Sequence, residues 1–130
     1  KVGADAWGIL RADKIVSYFP SFERLAAAAD ALATRLSGIP AQGVPFTSEI
    51  GGDGLLSWGV DPPREGSSFG GGESWRLWLT HRLARALLSA KSAATGEGGE
   101  EAWRFALERV RLEGVDTDTW TPGALLWKRS

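Results

Sequence analysis

The spacing of apolar residues predicts three helices along the chain. The first covers about residues 22–37, where apolar side chains recur every three or four positions and form one stripe. Ser21 offers the side-chain oxygen that a helix start prefers, and Gly38 followed by Pro40 ends the helix. The stripe consists of Phe22, Leu25, Ala29, Leu32 and Leu36.

The second predicted helix covers about residues 74–92 and is apolar on two sides. A helix of this kind is usually packed between two layers, so we expect a sandwiched helix. Trp75 and Trp78 are expected in the core, with a stacking platform for a ligand as the alternative. One stripe contains Trp75, Trp78, Leu79, Leu83, Ala86 and Leu87, and the nearly opposite stripe contains Leu77, His81, Ala84 and Leu88.

A third helix is predicted over about residues 100–113, and Gly114 ends it. The tail that follows carries Trp120 and Pro122, and we expect it to lie over the core. The side chains expected to face inward are Trp103, Ala106, Leu107 and Val110.

A strand is predicted over residues 14–19, because Ile15, Val16, Tyr18 and Phe19 suit a pleated, half-buried surface. Residues 6–10 are either a second strand or a lead-in. The apolar islands at 44–47 and 55–58 are either short strands or packed loops. The predicted fold is α+β, a small β-sheet covered by about three α-helices in a single domain over 1–130.

Two stretches are predicted to be loops from their glycine content. Asp61–Gly72 is a connector or a mobile flap, and the connector is the favoured interpretation. It resembles a phosphate-cradling loop only superficially, because the Lys-Ser/Thr ending of such loops is missing. Thr95–Gly99 is predicted to be a flexible break between two helices.

Composition narrows the range of functions. The 130 residues have a net charge of −1 with both signs interspersed, which argues against a nucleic-acid partner. The absence of Cys and the single His argue against a thiolate nucleophile and a multi-histidine metal site. No apolar run reaches the length of about 20 residues that a membrane span needs. We therefore expect no metal, no cofactor and no membrane partner, in a cytoplasmic setting by default. The absence of Met suggests a segment trimmed from a longer protein.

Several polar side chains are candidates for chemistry. His81 is the one side chain with an ordinary pKa near neutrality, so it is a candidate general acid, and a hydrogen-bonded core or boundary histidine is the alternative. Arginines could hold a phosphate bidentately, and ordinary solvated helix charges explain most of them equally well. An acid-dependent hydrolase using Asp53 and Asp61 is a weaker possibility that no spacing supports. The candidate arginines are Arg11, Arg76, Arg82 and Arg85.

Short motifs in the same order along the chain resemble the HopA-type family of type III secretion effectors. Arg11-Ala-Asp13, followed by Val16 and Tyr18, is similar to the family's R-x-D-x-x-V-x-Y strand. The other similar pieces, spread over most of residues 8–123, are Pro45-Phe46-Thr47, the stretch from Gly54 to Pro63, Ser74-Trp75 leading to Ala84-Arg85-Ala86-Leu87, and Gly114-Val115-Asp116 with Trp120 and Pro122.

The resemblance implies chemistry like that of a phosphothreonine lyase. Relatives of the family also occur beside kinase-like proteins in lanthipeptide biosynthesis, so a precursor peptide and a kinase-like protein are the implied partners, and a secreted effector is the alternative setting. The resemblance implies that Arg11 binds phosphate and that Asp13 orients it. It further implies His81 as an acid, with Arg76, Arg82 and Tyr18 as further substrate-binding residues.

The chain departs from the family pattern at the reactive positions. Ser48 stands where the family has Lys, and Trp78 and Leu79 stand where the family has a His-Arg pair. The N-terminal half that the family usually carries is also missing. Whether the chain is a lyase or a non-catalytic peptide- or protein-binding scaffold therefore stays open. In either case we expect Arg11 and Asp13 to project from a buried β segment into a pocket beside the helix that begins near Ser74.

Overall fold

The computed structural model describes residues 2–63, 73–93 and 101–127. Within these ranges the chain forms five helices and a two-stranded antiparallel sheet, which confirms the α+β class. The chain divides into two compact units. The first contains the described residues up to Pro45 and Glu49–Trp58, and the second contains Phe46–Ser48 and the described residues from Gly59 onward. The single-domain organisation over 1–130 stays a prediction. Most of Asp61–Gly72 and all of Thr95–Gly99, both predicted loops, lie outside the described residues.

The first unit begins with a short helix, α1 (Ala6–Leu10), so the strand alternative for residues 6–10 is wrong. Asp5 caps the helix, and its Oδ1 accepts a hydrogen bond of 2.7 Å from the Gly8 amide. Gly3 lies directly against Gly8, where a Cβ on Gly3 would stand 2.5 Å from the carbonyl carbon of Gly8. The cap and this close approach of two glycines fix α1 locally.

The strand predicted over residues 14–19 is wrong. The backbone there makes only an isolated antiparallel bridge between Val2 and Ile15, beside a 3.0 Å hydrogen bond from the Gly3 amide to the Lys14 carbonyl. Ile15 is 70% exposed and Tyr18 is 75% exposed. Strand propensity measures how well side chains pack on a sheet, so without a paired ladder these residues stay in irregular backbone.

The first predicted helix is confirmed as α2 (Phe22–Arg35). Ser21 is its N-cap, and the Ser21 hydroxyl accepts a hydrogen bond of 3.4 Å from the Arg24 amide. The helix is followed by Gly38, whose φ of +84° is the left-handed conformation that favours glycine. Ala29 is the buried residue of its apolar stripe.

The sheet lies later in the chain than predicted. β1 (Ser48–Ile50) pairs with β2 (Leu56–Trp58), so the island at 55–58 contributes a strand whereas the island at 44–47 does not. The connecting turn contains three glycines with positive φ, and the Glu49 carboxylate accepts a 2.7 Å hydrogen bond from the Gly54 amide. The ring of Trp58 also meets that of Phe22 edge-on at 4.9 Å.

The second unit is built on two helices, α3 (Trp75–Ala93) and α4 (Ala102–Leu112), which confirm the other two predicted helices. They pack against each other, and Leu79 and Val110 are fully buried. A further helix, α5 (Ala124–Trp127), follows in the tail. The tail lies over this core as expected, because it contributes two of the clustered residues. The buried cluster consists of Trp75, Trp78, Leu79, Val110, Val115 and Leu126.

Two expectations about the helix faces are wrong. The second apolar stripe of α3 is not sandwiched, since Leu77 and Leu88 are 48% and 66% exposed. Trp103 on α4 does not face inward either, being 52% exposed with the Arg104 guanidinium 5.1 Å from its ring centroid. Leu77, Leu88 and Trp103 are all apolar and lie at helical spacing. Spacing alone does not say which apolar stripe contacts the neighbouring helix.

We predict that Leu79→Ala lowers the free energy of unfolding of the full chain by about 2–4 kcal/mol, because it leaves a cavity in a fully buried site. Urea denaturation measures this change. The matched control is Leu112→Ala, where the leucine is 71% exposed and the expected change is below about 0.5 kcal/mol. Equal losses in the two variants would contradict the assignment of the core.

Asp116 gives a second prediction, on the pH dependence of stability. Hydrogen bonds to its carboxylate from the Thr119 amide (3.0 Å) and the Asp118 amide (2.8 Å) lower the pKa of Asp116 below its ordinary range. A lowered native pKa stabilises the fold above the unfolded pKa of about 3.9, and the stabilisation is lost as the pH falls through the native pKa. The stability difference between wild type and Asp116→Asn should therefore shrink on acidification below about pH 4. A difference that stays constant from neutral pH to below the native pKa would contradict this linkage.

Candidate functional site

The predicted site residues fall in two places, one in each compact unit. Arg11, Asp13 and Tyr18 belong to the first unit, whereas Arg76, His81 and Arg82 lie on α3 in the second. Each place is described by itself below.

Arg11 and Asp13 form a forked ion pair directly after α1. Nε of Arg11 donates to Oδ1 of Asp13 at 3.0 Å, and Nη2 donates to Oδ2 at 2.9 Å. The carboxylate is the less exposed member, with side-chain exposures of 23% for Asp13 and 60% for Arg11. Asp13 thus sets the direction of the guanidinium, and the cation is the outer member of the pair.

Lys14 lies next to this pair and adds a second cation. Its Nζ donates to the Arg11 carbonyl at 3.2 Å and also contacts the amide oxygen of Gln42. Tyr18 is well exposed and does not belong to the ion pair. The local chain therefore presents two cations around one carboxylate.

The surroundings of the pair differ from those expected. Residues 11–14 form no strand and Arg11 is mostly exposed, so the prediction of a buried β segment that projects both side chains is wrong. The backbone turns after α1 because Arg11 itself is the C-cap, with extended dihedral angles. A position beside α3 stays a prediction.

A groove of about 460 Å³ lies along the first turns of α3. Three of the predicted residues, His81, Arg82 and Arg85, are among its lining side chains, whereas Arg76 is not. The lining mixes both charge signs with an apolar floor and consists of Glu73, His81, Arg82, Ala84, Arg85 and Leu88.

His81 and Glu73 form the acid–base pair of this groove. Nδ1 of His81 lies 2.6 Å from Oε1 of Glu73, with the two side chains 61% and 33% exposed. This contact engages Nδ1, and Nε2 is the ring nitrogen that the contact leaves for a ligand. The side chain of His81 is exposed, so the interpretation as a core histidine is wrong.

Arg82 serves the packing of the second unit. Its guanidinium carbon lies 3.6 Å from the centroid of the Trp78 ring, and Nε lies 2.7 Å from Oε2 of Glu113. The Arg82 side chain is only 11% exposed. Stacking on the indole and the charge contact with Glu113 hold the guanidinium in place, so Arg82 is poorly placed to bind a ligand.

The remaining arginines of α3 differ in exposure. Arg85 lines the groove and is exposed, whereas Arg76 is half-buried outside it. Arg85 is thus the groove cation most accessible to an anion from solution.

Two residues of this groove region were missed from the sequence. Glu73 precedes α3 by two positions, and its spacing of eight residues from His81 is the sequence signal that could have indicated their contact. Glu113 lies 31 residues from Arg82 along the chain, so no local signal connects them. Ser48, which stands where the resemblance predicts Lys, is 3% exposed and donates to the Thr119 carbonyl at 2.8 Å; Trp78, where the resemblance predicts His, is buried in the core.

Within residues 2–63, 73–93 and 101–127, no group of three or more His, Asp or Glu side chains could hold a metal ion. None of the helices in these ranges is both long enough and apolar enough to cross a membrane.

Comparison of the chain with protein-family models, with curated proteins and with solved structures finds no match.

We predict that Arg82→Ala lowers the free energy of unfolding by about 1–2 kcal/mol, because it removes both the stacking on Trp78 and the ion pair with Glu113. Arg85→Ala, one turn away in the same groove, is the control and should change stability by less than about 0.5 kcal/mol. Urea denaturation of the three proteins makes the comparison. If Arg82→Ala were as stable as the control, Arg82 would be available for a ligand instead.

Proposed function

We propose that this chain is a HopA-like component of ribosomal peptide modification that binds phosphorylated Ser or Thr of a precursor peptide, together with a kinase-like protein. The proposal comes from the motifs that occur in family order over most of residues 8–123. In this proposal the chain works in the cytoplasm, where precursor peptides are made, and action as a secreted effector is the alternative.

The observation that carries the proposal is the fork between Arg11 and Asp13. The two bonds occupy Nε and Nη2, and among the described residues no group takes a hydrogen bond from Nη1. A guanidinium held by a partly covered carboxylate keeps one direction without a ligand, so less side-chain entropy is lost when an anion binds. Phosphate oxygens suit the remaining N–H groups, and the nearby Lys14 ammonium adds attraction.

Elimination would extend this recognition to catalysis. A base removes the α-proton of the phosphorylated residue, the electron pair forms a carbon–carbon double bond, and the carbon–oxygen bond to phosphate breaks. An acid then protonates the departing phosphate. His81, supported by Glu73, is the acid–base candidate for this step. His81 and Glu73 belong to the second compact unit, and the Arg11–Asp13 pair belongs to the first.

Non-catalytic recognition is the second candidate, and a specific observation favours it. Ser48 and Trp78 occupy the positions of the family's Lys and His, and both are buried, one bonded to the Thr119 carbonyl and one in the core cluster. In this chain Ser48 and Trp78 therefore contribute to the packing of the second unit. A scaffold that presents a phosphorylated peptide to a partner would need the Arg11–Asp13 pair but no base.

Calorimetric titration tests the binding step. We expect the full chain to bind a peptide carrying one phosphothreonine more tightly than its unphosphorylated form. Arg11→Ala should weaken this binding about tenfold or more, because a charge-assisted hydrogen bond is lost, and Arg11→Lys should restore only part of it. Arg35→Ala removes the same charge from an exposed position on α2 and should leave binding unchanged. Equal affinity for both peptides would overturn the proposal.

Mass spectrometry of the same phosphopeptide separates the two versions of the proposal. Incubation with the chain and the kinase-like protein should produce a peptide lighter by phosphoric acid if elimination occurs. Phosphate-dependent binding with an unchanged mass would identify the chain as a recognition domain. In the first case His81→Gln should abolish the mass change while leaving the affinity of the phosphopeptide intact.

A further inference from the structure

The exposed stripe of α3 is the strongest unexplained feature of the second unit. Leu77 and Leu88 are 48% and 66% exposed, and His81 and Ala84 between them are exposed as well. The opposite side of the same helix carries Leu79, which belongs to the buried cluster. One long helix thus packs one side into its own unit and presents a second apolar line to solvent.

The spacing of this stripe is symmetric. Successive members are separated by four, three and four residues, which is the alternation of the a and d positions of a heptad. Leu77 and Leu88 lie equally far from the point midway between residues 82 and 83, and so do His81 and Ala84. A line with this property is self-complementary when a second copy runs antiparallel to it.

We infer that α3 is the interface of an antiparallel homodimer, in which a two-fold axis passes near the midpoint of this stripe. In that arrangement Leu77 of one copy packs on Leu88 of the other, and the symmetry repeats the contact at the far end. The large imidazole of His81 meets the small side chain of Ala84. The four side chains of one copy interleave with four from the second. Because both copies use the same stripe, no stripe is left to bind a third copy.

Charge at the ends of the stripe agrees with this pairing. The register places Lys91 of one copy level with residue 74 of the other, one residue from Glu73. Lys91 is exposed, and the Glu73 side chain is 33% exposed, so an ammonium and a carboxylate come together at each end of the interface. A parallel pair would instead place Lys91 beside Lys91 and Glu73 beside Glu73. The charges therefore favour the antiparallel register over the parallel one.

The inferred dimer goes beyond the proposed function, because it uses α3 and not the Arg11–Asp13 pair. It also covers the groove, since His81, Ala84 and Leu88 line the groove and belong to the stripe. The imidazole then has a packing role and the second copy occupies the groove, so the dimer is compatible with the recognition version of the proposed function and not with elimination by His81.

Sedimentation equilibrium of the full chain over a range of concentrations tests the dimer. We expect a reversible monomer–dimer equilibrium for the wild type. Leu77→Glu and Leu88→Lys should each weaken dimerisation about tenfold or more, because a charge then faces a leucine across the interface. Leu112→Glu changes an equally exposed leucine on α4 and should leave the dimer unaffected.

Mixing the two variants tests the register. In the antiparallel dimer the carboxylate introduced at position 77 of one chain faces the ammonium introduced at position 88 of the other, while the second pair of leucines is intact. An equimolar mixture should therefore form dimers at concentrations where each variant alone is monomeric. This recovery also shows that both variants are folded. A wild type that stays monomeric at every concentration would overturn the inference. So would a mixture without recovery, or a Leu112→Glu variant that weakens the dimer as much as the others.

Discussion

The packing of α3 on α4 around Leu79 and Val110 is the interaction on which the second unit depends. Both side chains are fully buried, and the tail adds Val115 and Leu126 to the same cluster. Arg82 extends this contact toward the surface, because its guanidinium covers the Trp78 ring while its charge meets Glu113, the residue that follows α4. An arginine held by these contacts stabilises the fold. The cations that could bind a ligand are therefore those whose side chains the packing leaves exposed.

The three main helices could be predicted because their signals are local. Apolar side chains at helical spacing, a serine before the first turn and a glycine after the last one act within a few residues of each other. Ser21 and Gly38 take the conformations expected of them around α2, and Gly114 has a φ of +96° after α4. The Arg11–Asp13 pair is local in the same sense, since a single residue separates its members.

The remaining features depend on partners that are remote in sequence. Residues 15–19 have the composition of a strand but lack a neighbouring ladder, whereas the actual strands have three residues each, too short for a pattern of alternation. The same limit applies to α3, where periodicity finds two apolar stripes and cannot rank them. It also explains why the contact of Arg82 with Glu113, across 31 residues, escaped prediction. The residue types along the sequence indicate candidates for the site, and tertiary packing determines which of these candidates stabilise the fold.

The stacked indoles of Trp75 and Trp78 have a consequence for how the molecule can be observed. Their ring centroids lie 5.1 Å apart, with 16° between the planes, inside the cluster that joins α3 to α4. Two chromophores at this distance share electronic excitation, so their circular dichroism differs from that of separate tryptophans and depends on tight side-chain packing. The chain thus carries an intrinsic optical reporter inside this buried cluster, and the assembly of this core can be followed in real time without any added label.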